Sequence, residues 1–369
     1  MSHNVDMLPS FPCSQDMWDI LACEKRPIVV YGMGNGADKL IKRFEKYDIE
    51  IADFFASDGF VRGHNFHGKR VKSFSEIKSQ YSEFVIVLSF ASNRAEVIEM
   101  LSNIDASYEM YVPDMPVAGE EEYFDRDFYN SHYSEIVSAY EGLYDKKSQE
   151  IFASVIKYKL SGKMHYLMSA SCSLDEMYSI VPCDKIENAI DAGAYNGDTA
   201  REMKKYFSNL KNIVAIEPDV KNFSKLLKYC EAETDIIVFP INAAAWSENE
   251  ILNFSSSGNR NSTAVATTSY QHKDLKIKCL RLDSIEREKT DYIKFDVEGG
   301  EMRALRGSEK IIISDKPTML VSVYHRSSDI FAIANFIKSN YPFYKIYLRR
   351  LKCVPAWELN LILIPADFQ

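Results

Sequence analysis

Asp191-Ala-Gly-Ala-Tyr-Asn-Gly197-Asp198-Thr199 carries an apolar strand into a tight glycine turn and then into a helix start. Ile186, Ala189 and Ile190 lead into it, and Glu217-Pro218 closes the next apolar run at a spacing that suits a first βαβ unit. At Gly193 a side chain would obstruct the close approach of a ligand to the backbone. Gly197 supplies the positive φ of a turn, and Thr199 falls on the opening turn of a helix. Glu217 then ends the second strand, where a carboxylate accepts both hydrogen bonds of a ribose diol. By themselves these features specify an adenosine-type ligand on an α/β sheet and leave a dinucleotide fold open.

Working outward, the pattern predicts further strands near residues 188–192, 213–217, 236–241, 291–296, 318–324, 344–350 and 358–364. The first five are separated by crossovers, as parallel strands require, whereas the short turn around Cys353 to Ala356 forces the last two into an antiparallel hairpin. The long stretch from Leu252 to Leu280 has a Ser/Asn/Thr-rich centre, Ser255 to Thr268, that reads as an inserted ribbon or lid. Upstream, Pro27-Ile-Val-Val-Tyr31 begins a second α/β pattern with its own turn, Gly32-Met-Gly34-Asn-Gly36-Ala37, a second strand from Ile49 to Phe55, and Asp58 beyond it. The expected organisation is a leader over 1–25 with a short helix capped by Ser14 and a Rossmann-like domain over 26–116. A helical connector follows over 117–185 and a larger domain over 186–369. The acidic stretch from Val112 to Glu122 reads as the boundary.

Downstream, Thr290-Asp-Tyr-Ile-Lys-Phe-Asp296-Val-Glu298-Gly-Gly-Glu301, then Leu305-Arg-Gly307 and Lys316-Pro317, resembles the FkbM family of S-adenosylmethionine-dependent methyltransferases. The resemblance takes in Tyr144-Asp145 with Ser148, Tyr158-Lys-Leu-Ser-Gly162, Ala244-Ala245-Trp246, Leu282-Asp283 and Val323-Tyr-His325-Arg326, so that it covers roughly residues 140 to 365. One departure lies at Leu348-Arg-Arg350, where a histidine is expected after the first arginine. The resemblance implies an α/β protein: a seven-stranded class I (Rossmann-like) methyltransferase sheet with a final antiparallel hairpin, plus the smaller amino-terminal domain. It also implies S-adenosylmethionine as cofactor, S-adenosylhomocysteine as product and a small polar acceptor.

Ligands of open α/β sheets bind beyond the carboxyl ends of the strands. The cofactor set expected there is Asp191, Gly193, Ala194, Tyr195, Gly197, Thr199, Glu217, Pro218, Asn242 and Ala243, with Asn242-Ala243 facing the adenine. Transfer of a methyl group from a sulfonium is an in-line displacement that depends mainly on positioning. A hydroxyl acceptor must still lose its proton, and His325, partnered by Asp296 or Glu298, has the chemistry of a base near neutral pH. The same residues also fit plainer roles: the two carboxylates as orienting groups and His325 as a buried, hydrogen-bonded histidine. Glu301 reads as a helix-start carboxylate and Trp246 as a packing residue. A divalent metal held by Asp296, Glu298 and His325 fits in composition, but no HxxxH or paired-carboxylate spacing supports it, so none is expected.

Composition sets the outer bounds. A net charge of −9 and a pI near 5.4 argue against a nucleic-acid surface. No run has the length of a membrane span, no basic segment precedes an apolar one at the amino terminus, and the seven cysteines include no CxxC pair, which together predict a cytoplasmic protein with reduced thiols. Two alternatives stay open: an NAD-dependent oxidoreductase using the first glycine turn, or a non-catalytic nucleotide-sugar-binding or scaffold protein whose methyltransferase fold is inactive. A nucleotide-sugar or similar ligand at the amino-terminal domain and a homodimer are compatible with each reading.

Overall fold

A computed structural model describes residues 7–61, 63–118, 122–254 and 275–366. The larger sheet has seven strands: β1 (Asn188–Ala192), β2 (Asn212–Ile216), β3 (Ile237–Ile241), β4 (Tyr292–Phe295), β5 (Thr318–Ser322), β6 (Tyr344–Arg350) and β7 (Leu359–Pro365). Their spatial order is β3-β2-β1-β4-β5-β7-β6, and β7 alone runs antiparallel to its neighbours. Every residue of β5 and β7 is buried, as expected of central strands covered by helices on both faces. The order reverses between β1 and β4, so a crevice opens there at the carboxyl edge. The sequence places all seven strands to within a few residues. The inserted ribbon is present as Glu250–Phe254 antiparallel to Leu275–Leu280, and its expected centre, Ser255 to Thr268, lies outside the described residues.

The smaller sheet has five parallel strands in the order Lys72–Ser73, Asp53–Ala56, Ile28–Tyr31, Val85–Leu88, Met110–Tyr111. The expected strand from Ile49 to Phe55 pairs only from Asp53, because Ile49 is still turning out of the helix Asn35–Lys46 and donates its N–H to the Phe44 carbonyl. The leader helix Met17–Cys23 is capped by Asp16 and not by Ser14: Asp16 accepts from the Trp18 and Asp19 amides, and Asp19 returns a bond to the Asp16 amide.

The connector helices include Tyr133–Gly142 and Lys146–Ser161. Asp145 caps the second of these and also accepts from Arg349 at 2.7 Å, while the Ser148 hydroxyl accepts from the Leu348 amide at 2.8 Å. The Asp145/Ser148 pair of the sequence motif thus fastens the connector to β6. Arg350, fully buried, donates to the carbonyls of Leu167, Cys353 and Pro355, which gives the departure at Leu348-Arg-Arg350 a structural role.

The boundary stretch is no loose linker. Val112 donates to Gly162, Asp114 pairs with Lys159, the Pro116 carbonyl accepts from Lys39, and Glu122 accepts from the Ser327 hydroxyl. A single apolar cluster runs from Val29 and Ile86 of the small sheet, through Ile136 and Phe152 of the connector, to Ile293 and Val321 of the large sheet. Among the described residues no helix is long and apolar enough to cross a membrane, and all seven cysteines are free thiols.

Candidate functional site

The turn after β1 is set by a close approach of backbone. Gly193 has φ +94°, and a Cβ there would lie 1.8 Å from the carbonyl oxygen of Asp296 at the end of β4. Gly197, φ +83°, is the helix N-cap, and its Cβ would fall 2.5 Å from the Tyr229 ring. Both glycines are therefore demanded by the protein's own packing. The amides of Gly193 and Ala194 donate to the Ile216 carbonyl, and the Tyr195 amide, on a residue with φ +47°, donates to Glu217 Oε2 at 2.8 Å. Glu217 Oε1 accepts from Asp219, so the carboxylate that follows β2 is aimed by two backbone N–H groups. Burial nevertheless raises Glu217 to about 7, those two bonds opposing the shift.

Asp191 is fully buried, and neither carboxylate oxygen has a hydrogen-bond partner. Burial raises it to about 7, against the pull of Lys294. Asn242 gives its amide nitrogen to the carbonyls of Glu217 and Pro218, and Ala243 is buried beside it. Asp191, Glu217 and Asn242 thus end β1, β2 and β3 on one edge, as the sequence implied. Thr199 takes a different part: its hydroxyl accepts from Lys294 Nζ at 2.9 Å.

Beyond β4 and β5 a second cluster forms. His325 Nε2 lies 3.5 Å from Asp296 Oδ1 and 3.5 Å from Glu298 Oε2, and Nδ1 lies 3.0 Å from Glu301 Oε1. The sequence groups Asp296, Glu298 and His325, and the structure brings them together. It adds Glu301, only 1% exposed, whose Oε1 also accepts from the Val297 and Gly299 amides at 2.9 and 3.3 Å. Glu298 and Gly299 take φ +52° and +91°, a bend that returns Glu298 toward the histidine. Burial pulls the imidazole down, but Glu301, followed by Asp296 and Glu298, outweighs it and holds His325 at about 10. Glu298 is raised to about 7 by burial, and Asp296 stays below its usual range because Lys294 and His325 outweigh desolvation.

Lys294 is the residue sequence reading passed over. It stands in the otherwise apolar strand Tyr292-Ile-Lys-Phe295, and a lysine in such a setting is the signal that would have found it. Its Nζ reaches Thr199 and, at 3.4 Å, Asp296 Oδ2; Asp296 and Asp191 overcome its desolvation and keep it charged. Trp246 packs beneath Gly300 and Gly307, where a Cβ on Gly307 would strike the Trp246 carbonyl at 1.9 Å.

A cavity of about 470 Å³ adjoins the cluster. Asp296, Lys294, Glu202, Glu358 and Asn360 line it from the larger domain, Met177 from the connector, and Asn93 from the smaller domain. Asn93 is brought there because Ser92 and Val354 exchange backbone bonds at 2.7 and 2.9 Å, bridging the small sheet to the β6–β7 turn.

This strand order, with a glycine turn after β1 and an acid after β2, is that of a methyltransferase. Residues 191–343 match the family model of the methyltransferase FkbM domain. Among solved structures, methyltransferase FkbM from Methylobacillus flagellatus KT superposes with a TM-score of 0.70 at 19% identity, over 92% of this chain and 90% of that one. An rRNA methylase from Streptococcus thermophilus matches with a TM-score of 0.33 at 14% identity, over 50% of this chain and 89% of that one. Fibrillarin from Aeropyrum pernix, in complex with natively bound S-adenosyl-L-methionine, gives 0.32 at 14%, over 50% and 69%. No curated protein matches the sequence. Residues 191–343 thus resemble the methyltransferase FkbM domain, and the protein is an S-adenosylmethionine-dependent methyltransferase.

Proposed function

We propose that the protein moves the methyl group of S-adenosylmethionine to a hydroxyl of a polar, sugar-like small molecule. The cofactor lies along the carboxyl edge of β1, β2 and β3, its ribose on Glu217, its adenine beside Asn242 and Ala243, and its methionine end over Gly193 and Ala194. The acceptor occupies the cavity beyond β4, its hydroxyl toward Asp296 on the cavity wall, with His325 and Glu298 adjoining that carboxylate. That oxygen gives its proton to a carboxylate of the cluster, Glu298, and forms a bond to the methyl carbon. The carbon–sulfur bond breaks, and its electron pair stays on the sulfur of S-adenosylhomocysteine. Little covalent help is needed once donor and acceptor are held in line away from water.

The observation that carries this reading is the adjacency of two polar sites on one sheet edge: a cofactor-shaped one ending β1 to β3, and a cavity lined by Asp296 and Lys294. The dinucleotide alternative at the amino-terminal turn finds less support. Gly36 is needed there because a Cβ would lie 2.0 Å from the Ser89 carbonyl oxygen, and Asp58, the acid expected to take a ribose, is bonded to Ser75 through both oxygens. The smaller domain instead supplies Asn93 to the cavity wall.

The test is calorimetry of the full chain with S-adenosylhomocysteine and NAD, followed by single-turnover transfer from methyl-labelled cofactor to a panel of sugars and polyols. Binding of S-adenosylhomocysteine without NAD, with label appearing as an ether, is expected. Tight NAD binding alone, or label appearing only on nitrogen or carbon acceptors, would sink the reading.

A further inference from the structure

We propose that Asp296, Glu301 and His325 hold a divalent cation, and that the acceptor oxygen completes its coordination; this rests on the hydroxyl-transfer reading above. Each of the three residues brings one donor atom to within 4.8 Å of the others. The pairing of these donors with one another is incomplete. His325 and Glu301 are each 1% exposed; His325 Nδ1 lies 3.0 Å from Glu301 Oε1 but outside hydrogen-bond geometry, and Glu301 Oε2 has no hydrogen-bond partner. Nε2 meets its two nearest carboxylates only at 3.5 Å, longer than an ordinary hydrogen bond and close to the separation of neighbouring ligands around a metal ion.

Charge points the same way. Three carboxylates, Asp296, Glu298 and Glu301, surround one imidazole, and the nearby ammonium of Lys294 reaches only Asp296 among them; even with the ring and the ammonium both counted as cations, the carboxylates are in excess. An excess of negative charge in a partly buried cluster is costly unless a cation compensates it. Oxygen donors with a single imidazole suit manganese or magnesium better than a thiolate-seeking metal. Glu298, 43% exposed at its side chain, stands at the open side, and Asp296 also lines the acceptor cavity. A cation seated there polarises the acceptor hydroxyl, and the released proton passes to Glu298 as the oxygen takes the methyl group.

The experiment titrates chelator-treated full-length protein with MnCl2, following free Mn2+ by electron paramagnetic resonance and stability by thermal shift, with S-adenosylhomocysteine affinity measured alongside. One Mn2+ per chain is expected, with binding weakened at least about tenfold in Glu301→Gln and in His325→Asn. Glu301→Gln retains an oxygen for the Val297 and Gly299 amides; should it fail to fold, His325→Asn gives the same reading. Wild-type protein that binds S-adenosylhomocysteine but no Mn2+, variants that bind Mn2+ as tightly as wild type, or undiminished methyl transfer by metal-free enzyme would each overturn the cation site and leave the transfer reading standing. Loss of S-adenosylhomocysteine binding from wild type would instead overturn the reading on which it rests.

Discussion

The backbone carbonyl of Asp296 occupies the space that a side chain on Gly193 would need, 1.8 Å from the position of its Cβ. The glycine of the β1 turn and the acid that follows β4 are thereby locked together, and the turn after β1 cannot change without moving the cluster around Asp296. Gly193→Ala is expected to cost about 1–3 kcal/mol for the positive φ alone, with a further loss from displacing Asp296. Urea denaturation and S-adenosylhomocysteine calorimetry check this, and a variant with wild-type stability and affinity would show the contact to be dispensable.

Glu217, raised to about 7 by burial, predicts two opposite pH trends. The unfolded chain titrates this group near its ordinary value, about 4.3. Its contribution to stability is therefore fully present below that value and is lost as pH rises through about 7. A ribose diol requires the carboxylate, so S-adenosylhomocysteine affinity should climb over the same interval. Thermal shift from pH 5.5 to 8.5 should show the apoprotein falling and the ligand-induced increment growing, with both trends flattened in Glu217→Gln. Parallel trends in wild type would contradict the assignment.

Lys294→Met leaves Asp296 and Asp191 facing the interior without their ammonium. Removing one partner of a buried pair typically costs about 3–5 kcal/mol, and a loss of that order is expected in the denaturation free energy. Adding Asp191→Asn should restore part of it, because the second substitution removes one of the stranded charges. Strict additivity of the two changes would mean that the groups do not interact.

The strap from Val112 to Glu122 should matter to the methyltransferase domain. Val117 and Ala118 both donate their amides to the His325 carbonyl at 3.0 Å, and Ala118 packs on Gly299. A fragment beginning at Tyr123 is expected to unfold at lower denaturant than one beginning at Val112, and to transfer methyl groups more slowly even where it binds S-adenosylhomocysteine. Equal stability and turnover of the two fragments would reduce the strap to a tether.

What was readable in advance follows from where the information resides. β2 was expected at 213–217 and lies at 212–216, because a run such as Asn-Ile-Val-Ala-Ile is bounded by polar residues and suits no other local structure. β5 was expected to reach residue 324 and stops at Ser322. Val323 makes a last bond to Leu359, and the chain then turns to present His325, a change imposed by β7 from beyond residue 350. Glu301 was read as a helix-start carboxylate, and it does open the helix Glu301–Arg306, but its contact with His325 depends on β4 and β5 lying side by side. The boundary at 112–122 was read from its acidic residues, proline and glycine, which carry no trace of the bonds that tie it to Gly162, Lys159 and His325.

The sequence by itself determined the strands, the β1 turn with Gly193 and Gly197, the acid after β2 and the resemblance of Asp296 to Glu301 to a methyltransferase motif. Each of these is a local property, set by apolar periodicity, by the φ a glycine allows, or by the spacing of a few neighbouring residues. Only the tertiary structure decided that Gly193 clears a path for Asp296, that Lys294 sits among Asp191, Asp296 and Thr199, that Glu301 lies against His325, and that Asn93 from the smaller domain lines the cavity. Those relationships join residues far apart in the chain. They exist only once burial has brought the strand edges together and excluded the water that would otherwise separate their charges.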